Sequence, residues 1–215
     1  MEIDISFDDS IPSNIVFNTS LSGVPSNLTA TPVVGGGTFA AGNYFWKVTA
    51  TTALGETSPS GEATAAIALN GSANLAWNAP NNVVTGYKIY RGTASNAENT
   101  LVATVSASTT SYTDTNVGGA GTPPGSNTAV IQDYNLLTGF AWFVGFSLNE
   151  PTGAATSSVD IQDQGNTIAK CNLSAGGSET EGPYVKGIPL NSNLKMHVTS
   201  GQFGGVVYVR IPPVC

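Results

Sequence analysis

Residues 44–59, YFWKVTATTALGETSP, decide the architecture. Tyr44, Trp46, Val48 and Ala50 fall on one side of an extended chain and Phe45, Lys47 and Thr49 on the other, until Gly55 breaks the run ahead of Pro59. A period of two marks a half-buried strand, and glycine and proline close it with a turn. The same grammar recurs on both sides. Leu28, Ala30 and Pro32 begin a short strand before the Gly35-Gly36-Gly37 turn. The apolar run from Ala63 to Leu69 leads to Asn70-Gly71, a strong hairpin signal. ANLAWNAP then puts Leu75 and Trp77 on one side. After a bend at Asn81 and Asn82, TGYKIYRG sets Tyr87 and Ile89 against Lys88 and Tyr90. Leu101, Ala103 and Val105 form another alternating set ahead of Tyr112. Strands whose two faces differ in chemistry predict antiparallel sheets facing one another as a sandwich, not a parallel α/β fold.

Composition agrees. Only 10% of the 215 residues are charged and 25 are glycine, which suits strands joined by turns and does not suit solvated helices. Fourteen acidic residues against seven basic ones give a net charge of −7, which disfavours nucleic acid as a partner. The first residues, MEIDISFDDS, lack the basic and apolar regions of a secretion signal. No stretch reaches the roughly 20 apolar residues of a spanning helix, so no membrane association is expected.

The segment GGAGTPPGSN reads as a boundary, with residues 119–128 as a short linker. Beyond it Phe140, Trp142, Val144, Phe146 and Leu148 alternate strictly, the most insistent apolar strand in the chain. Val159, Ile161 and IAKCNL supply further strands, with a turn at DQGN. Leu194, Met196 and Val198 are expected to face Val207, Val209 and Ile211 across a final hairpin. At the other end Ile3, Ile5 and Phe7 alternate with Glu2, Asp4 and Ser6, either as an edge strand of another domain or as an arm reaching a neighbouring subunit. The expected fold is all-β: an arm or edge strand at 1–22, β-sandwiches in tandem at 23–118 and 129–215, and the linker between them.

No constellation announces catalysis. A nucleophile needs a base and a place for developing charge. His197 is the only histidine and shares a strand face with Lys195 and Thr199, which suits a solvated position. Cys171 and Cys215 read as free thiols, a late disulfide being the alternative. Glu56, Asp114, Glu150, Asp160, Asp163, Glu179 and Glu181 are assigned to turns, strand ends and contacts. No catalytic residue, cofactor or metal is expected. Trp46, Trp77, Tyr87, Trp142 and Phe146 are assigned to cores; Tyr112 and Phe143, and as named candidates Tyr90, Tyr184 and Tyr208, are assigned to contact faces.

The pieces GNYFWKVTATTALGETSPS, ANLAWNAP, GYKIYRGT and TTSYTDT resemble fibronectin type III and related immunoglobulin-like modules, particularly those inserted in bacteriophage structural proteins. The order departs from an ordinary extracellular module, in which the Trp strand comes first. FSLNEPTGAATSSVDIQDQGNTIAKCNL, EGPYVKGIPL and NLKMHVTSGQFGGVVYV resemble a small C-terminal β-sandwich of phage virion proteins. These resemblances imply a capsid decoration or cement protein on the outer surface of the virion, a homotrimer whose partner is the major capsid protein. Ile3, Ile5 and Phe7 are the first candidates for capsid or subunit contact, by strand addition. The alternative is a tail, fibre or baseplate accessory that binds a host-surface glycan.

Overall fold

Alternating side chains carry over into alternating burial in a computed structural model that describes residues 11–18, 23–80, 84–130, 132–153, 155–182, 187–191 and 193–211. Its regular elements are all strands, with no helix among the described residues. The chain divides into two units, one continuous (Leu21–Ala129) and one discontinuous (Met1–Ser20 with Val130–Cys215). The expected tandem order is thereby replaced: the first unit is an insert within the second.

The discontinuous unit begins with β1 (Ile11–Asn18). The insert holds β2 (Ser26–Val33), β3 (Gly42–Thr52), β4 (Gly55–Glu56), β5 (Ala63–Ile67), β6 (Ser72–Asn78), β7 (Gly86–Gly92), β8 (Thr100–Ser106), β9 (Ser111–Asp114) and β10 (Gly119–Ala120). One sheet runs β10-β8-β7-β3-β4, with β5 also on β3; the other runs β2-β6-β9. Trp46, Val48 and Ala50 of β3, Tyr87 and Ile89 of β7, and Ala73, Leu75 and Trp77 of β6 form one core cluster drawn from both sheets. The period of two read in residues 44–59 is therefore the core face of β3, and Thr52 pairs with Gly55 where the turn was expected.

Asn70-Gly71 does turn the chain, with Asn70 at φ 58° and Gly71 N–H donating to the Ala68 carbonyl at 2.9 Å. It makes no hairpin, because β5 pairs with β3 while β6 pairs with β2 and β9. A turn sequence fixes a local reversal; the sheet each flanking strand joins is set by which apolar faces must meet.

The expected linker is also replaced. Gly119 and Ala120 pair with Leu101 and Thr100 of β8. Gly121 N–H reaches the Asn99 carbonyl, and Thr128 N–H the Glu56 carbonyl at 2.9 Å. Residues 119–128 thus start on one edge of the larger sheet and end on the other, as a strap across the face opposite the core. Gly55 is required where the strap ends, since a Cβ there would lie 2.0 Å from the Thr128 carbonyl oxygen.

One buried hub ties the insert's two sheets together. Asp114, at the end of β9, is fully buried and accepts hydrogen bonds from Trp46 Nε1 (2.9 Å), Arg91 Nη1 (2.8 Å) and the Asn116 N–H (2.9 Å). The Arg91 guanidinium also lies 4.9 Å from the centre of the Phe39 ring.

The discontinuous unit continues with β11 (Asp133–Thr138), β12 (Ala141–Asn149), β13 (Ser157–Asp163), β14 (Asn166–Leu173), β15 (Ser178–Glu181), β16 (Ile188–Leu190), β17 (Asn193–Ser200) and β18 (Gly204–Ile211). Its sheets are β1-β18-β12-β15, with β16 on β12, and β11-β17-β13-β14. β1 pairs with β18 from Ile11↔Ile211 to Asn18↔Gly204, at the sheet edge. Of the two expected roles for the N-terminal region, residues 11–18 take that of an edge strand; Ile3, Ile5 and Phe7 lie outside the described residues. The DQGN turn joins β13 and β14 with Gln164 and Gly165 at positive φ. The final hairpin is not formed: β17 and β18 belong to different sheets. Leu194, Met196, Val198, Val207 and Val209 are buried all the same, and Ile211 is half-buried. Opposite apolar faces can thus come from two layers as readily as from two paired strands.

Candidate contact surfaces

β12 does not keep the strict alternation its sequence predicts. Phe143 pairs with Val209 but Gly145 pairs with Tyr208, so one extra residue, Val144, sits in a β-bulge. A bulge shifts side-chain parity by one. Before it the buried residues are Ala141 and Phe143; after it they are Phe146 and Leu148. Phe143, expected on a contact face, is fully buried. Trp142, expected in the core, is half-buried on the opposite face, and Phe140 is 52% exposed. Gly145 makes this possible, with φ at +146° and the Glu181 carbonyl oxygen 2.2 Å from where its Cβ would stand.

The outward face that results has a distinct composition. Trp142 lies directly across from Arg210, and Tyr208 follows two residues away on the same side of β18. The Phe140 and Trp142 rings meet edge to face, 5.0 Å apart at 77°. Trp, Tyr and Arg are the side chains that dominate binding energy at protein interfaces. Of the contact candidates, Tyr208 is half-buried on this face and Tyr184 lies outside the described residues. Tyr90 is corrected: it is 3% exposed, and its hydroxyl donates to Glu56 Oε1 at 2.7 Å. The lone signal for the Trp142 face was the glycine inside an apolar run, which favours a bulge.

Several titratable groups among the described residues are engaged in holding structure. Glu56 also accepts from Thr49 Oγ1 (2.6 Å) and Lys88 Nζ (2.6 Å); burial acts to raise its pKa, but these donors outweigh it and lower it. His197 Nδ1 and Lys195 Nζ meet Asp133 at 2.7 and 3.1 Å, and chiefly the histidine contact lowers the Asp133 pKa. Cys171 is a free, buried thiol that donates to Glu179 Oε2 at 3.1 Å; burial, then that carboxylate, pushes it up to about 12, so it stays protonated and unreactive near neutral pH. Cys215 lies outside the described residues. No group of three His, Cys, Asp or Glu side chains among the described residues could hold a metal ion.

Glu150 is held most strongly. Its carboxylate accepts from the N–H groups of Thr152 (2.9 Å), Gly153 (2.6 Å) and Gly176 (2.8 Å) and from the Thr152 hydroxyl. Burial alone would raise its pKa, but the four donors bring it down to about 2. A depressed carboxyl stabilises the fold above its unfolded pKa, near 4.5, and loses that contribution as pH falls through its folded value. Glu150→Gln is therefore expected to lower the melting temperature at pH 7 and to shrink its difference from wild type between pH 4.5 and 2. A constant difference across that window would show that the carboxylate charge is not what holds these two loops.

A second surface is the outer side of the β2-β6-β9 sheet. Thr29, Thr31, Asn74, Ala76, Ser111 and Thr113 line a shallow, uncharged depression of about 580 Å³. No family model, curated protein or solved structure matches this chain.

Proposed function

We propose that this chain is a non-enzymatic attachment protein of a virus particle, a capsid decoration protein that acts as a homotrimer on the outer surface of the shell, with the major capsid protein as its partner. The observation that carries this reading is the outward face formed by Phe140, Trp142, Tyr208 and Arg210, which a bulge turns away from the core. The fold holds it on a sheet, so little ordering entropy is lost on binding. A protein that binds the assembled shell and not its separated subunits shifts the balance towards assembly, and several copies around a symmetry axis add avidity.

The experiment is occupancy on purified shells. Trp142→Ala is expected to weaken binding by tenfold or more, as loss of a central aromatic anchor does. Phe140→Ser, on the more exposed ring, is expected to act in the same direction with little change in melting temperature. Unchanged occupancy for both variants rejects the face as the attachment surface.

The hydroxyl-lined depression on the smaller sheet of the insert favours a second reading, a tail or baseplate accessory that binds a host-surface glycan. Binding on a glycan panel that is lost in Thr31→Tyr, with no occupancy on heads, would select it.

A further inference from the structure

Beneath the strap, side chains from two separate parts of the insert converge on one amine. Lys47 projects from β3 on the face opposite the core, and its Nζ lies 2.8 Å from Asn96 Oδ1 and 3.2 Å from Glu98 Oε2. The Lys47 side chain is 14% exposed and that of Glu98 only 2%. Asn96 is fixed in the loop between β7 and β8 at φ 57°, with its N–H donating to Glu62 Oε2 at 2.6 Å. Its Nδ2 donates to Ser95 Oγ at 3.2 Å, and Ser95 Oγ donates to Glu62 Oε1 at 2.8 Å. The carboxamide therefore presents its carbonyl to the lysine and its nitrogen to the opposite side.

We propose that the insert closes its own covalent cross-link, an amide bond between Lys47 Nζ and Asn96 Cγ, with Glu98 as the proton carrier. Glu98 accepts a proton from the Lys47 ammonium, and the neutral amine attacks Asn96 Cγ to give a tetrahedral intermediate. The second proton of the amine and the one held by Glu98 pass to Nδ2. The Cγ–Nδ2 bond breaks and ammonium leaves, so that Lys47–NH₃⁺ and the Asn96 carboxamide become one secondary amide plus NH₄⁺. No oxidant, metal or other reactant is consumed.

Three features favour the step. Held together in the fold, the two groups react as a unimolecular pair, which raises effective concentration by orders of magnitude. Burial disfavours an ammonium–carboxylate pair relative to neutral amine and neutral acid. A cavity of about 350 Å³, lined by Lys47, Asn96, Glu98, Asn99, Pro123 and Pro124, adjoins the reacting atoms and gives ammonia a way out.

The surroundings of Glu98 fit this role. Its Oε1 is buried and meets no donor, and burial first, then the adjoining Glu62, pushes its pKa up. Glu62 is lowered in return, because its bonds to Glu98, Asn96 and Ser95 outweigh its burial. The proton that Glu98 takes from Lys47 would give its otherwise orphaned oxygen a partner in Glu62. Glu62 is a positioning residue: it holds the Asn96 N–H and Ser95 and adjoins Glu98, while the bond that forms joins Lys47 Nζ to Asn96 Cγ.

The test is the intact mass of the full purified chain under denaturing conditions, followed by sequencing of its proteolytic fragments. The expected result is a chain one ammonia lighter than its sequence and a branched fragment joining Lys47 to Asn96. Lys47→Arg, which keeps a positive charge beside Glu98, and Glu98→Gln should both restore the full mass, and Lys47→Arg should melt at a lower temperature than the cross-linked chain. If Glu98→Gln does not fold, Lys47→Arg decides the matter alone. A folded wild-type chain that retains its full mass after prolonged incubation overturns the proposal. So does ammonia loss without the branched fragment, since a succinimide at Asn70-Gly71 gives the same mass.

Discussion

Asp114→Ala is expected to destabilise the insert by about 3–5 kcal/mol, the cost of removing one partner of a buried, hydrogen-bonded ion pair. The loss is large because three donors lose their acceptor together. The Arg91 guanidinium is left charged in the interior, and Trp46 Nε1 and the Asn116 N–H are left without a bond. For a unit of this size the melting midpoint should fall by on the order of 15 °C or more. Calorimetry reads it directly. A loss below about 1 kcal/mol would mean that water or a rearranged loop takes over the carboxylate's bonds. Arg91→Met in combination with Asp114→Leu should recover part of the loss, because it removes the stranded charge while leaving Trp46 Nε1 unsatisfied.

Gly145→Ala is expected to have the second largest effect, on the order of 3 kcal/mol, from backbone strain and overpacking acting together. The added methyl would stand 2.2 Å from the Glu181 carbonyl oxygen, and φ at +146° strains any L side chain whatever the space. β15 must then separate from β12 at Phe146↔Glu181, or the bulge must be expelled. Expelling it would shift Trp142 and Phe143 to each other's faces and put the indole where the phenyl ring now packs. Chemical denaturation measures the stability loss, and shell occupancy should fall in parallel. A variant of wild-type stability would show that the bulge is not what sets the parity of β12.

These two sites show how far the amino-acid sequence could be read. The period of two in β3 places Trp46, Val48 and Ala50 on one side, and that side is the core face, because the strand runs without interruption and its two faces differ in chemistry. In β12 the same reasoning misassigned Phe143 and Trp142, since both faces are apolar and nothing but Gly145 marks the slip. Turns were legible at Gly55, Asn70-Gly71 and DQGN, but turn chemistry is local and does not state which sheet the next strand joins. That is why the sequence predicts hairpins from β5 to β6 and from β17 to β18, where each pair is divided between two sheets. Residues 119–128 have the glycines and prolines of a linker, yet their backbone groups find partners on β8 and Glu56. That strap lines a cavity with Lys47 and Glu98, and no spacing in the sequence brings Lys47 near Asn96 and Glu98; only the pairing of β3 with β7 does.

The pairing of β1 with β18 has a consequence for the order of synthesis. Ile11 is translated well before its neighbour Ile211, with the whole insert between them. The nascent edge strand must therefore wait, its backbone unmatched, while the insert emerges whole and can fold. Loop-closure entropy grows slowly with length, and a folded insert replaces over a hundred flexible residues by one compact knot of structure between the halves. Translation that stops before β18 leaves an adhesive strand edge without its mate, so synthesis of β18 is itself a checkpoint against premature aggregation.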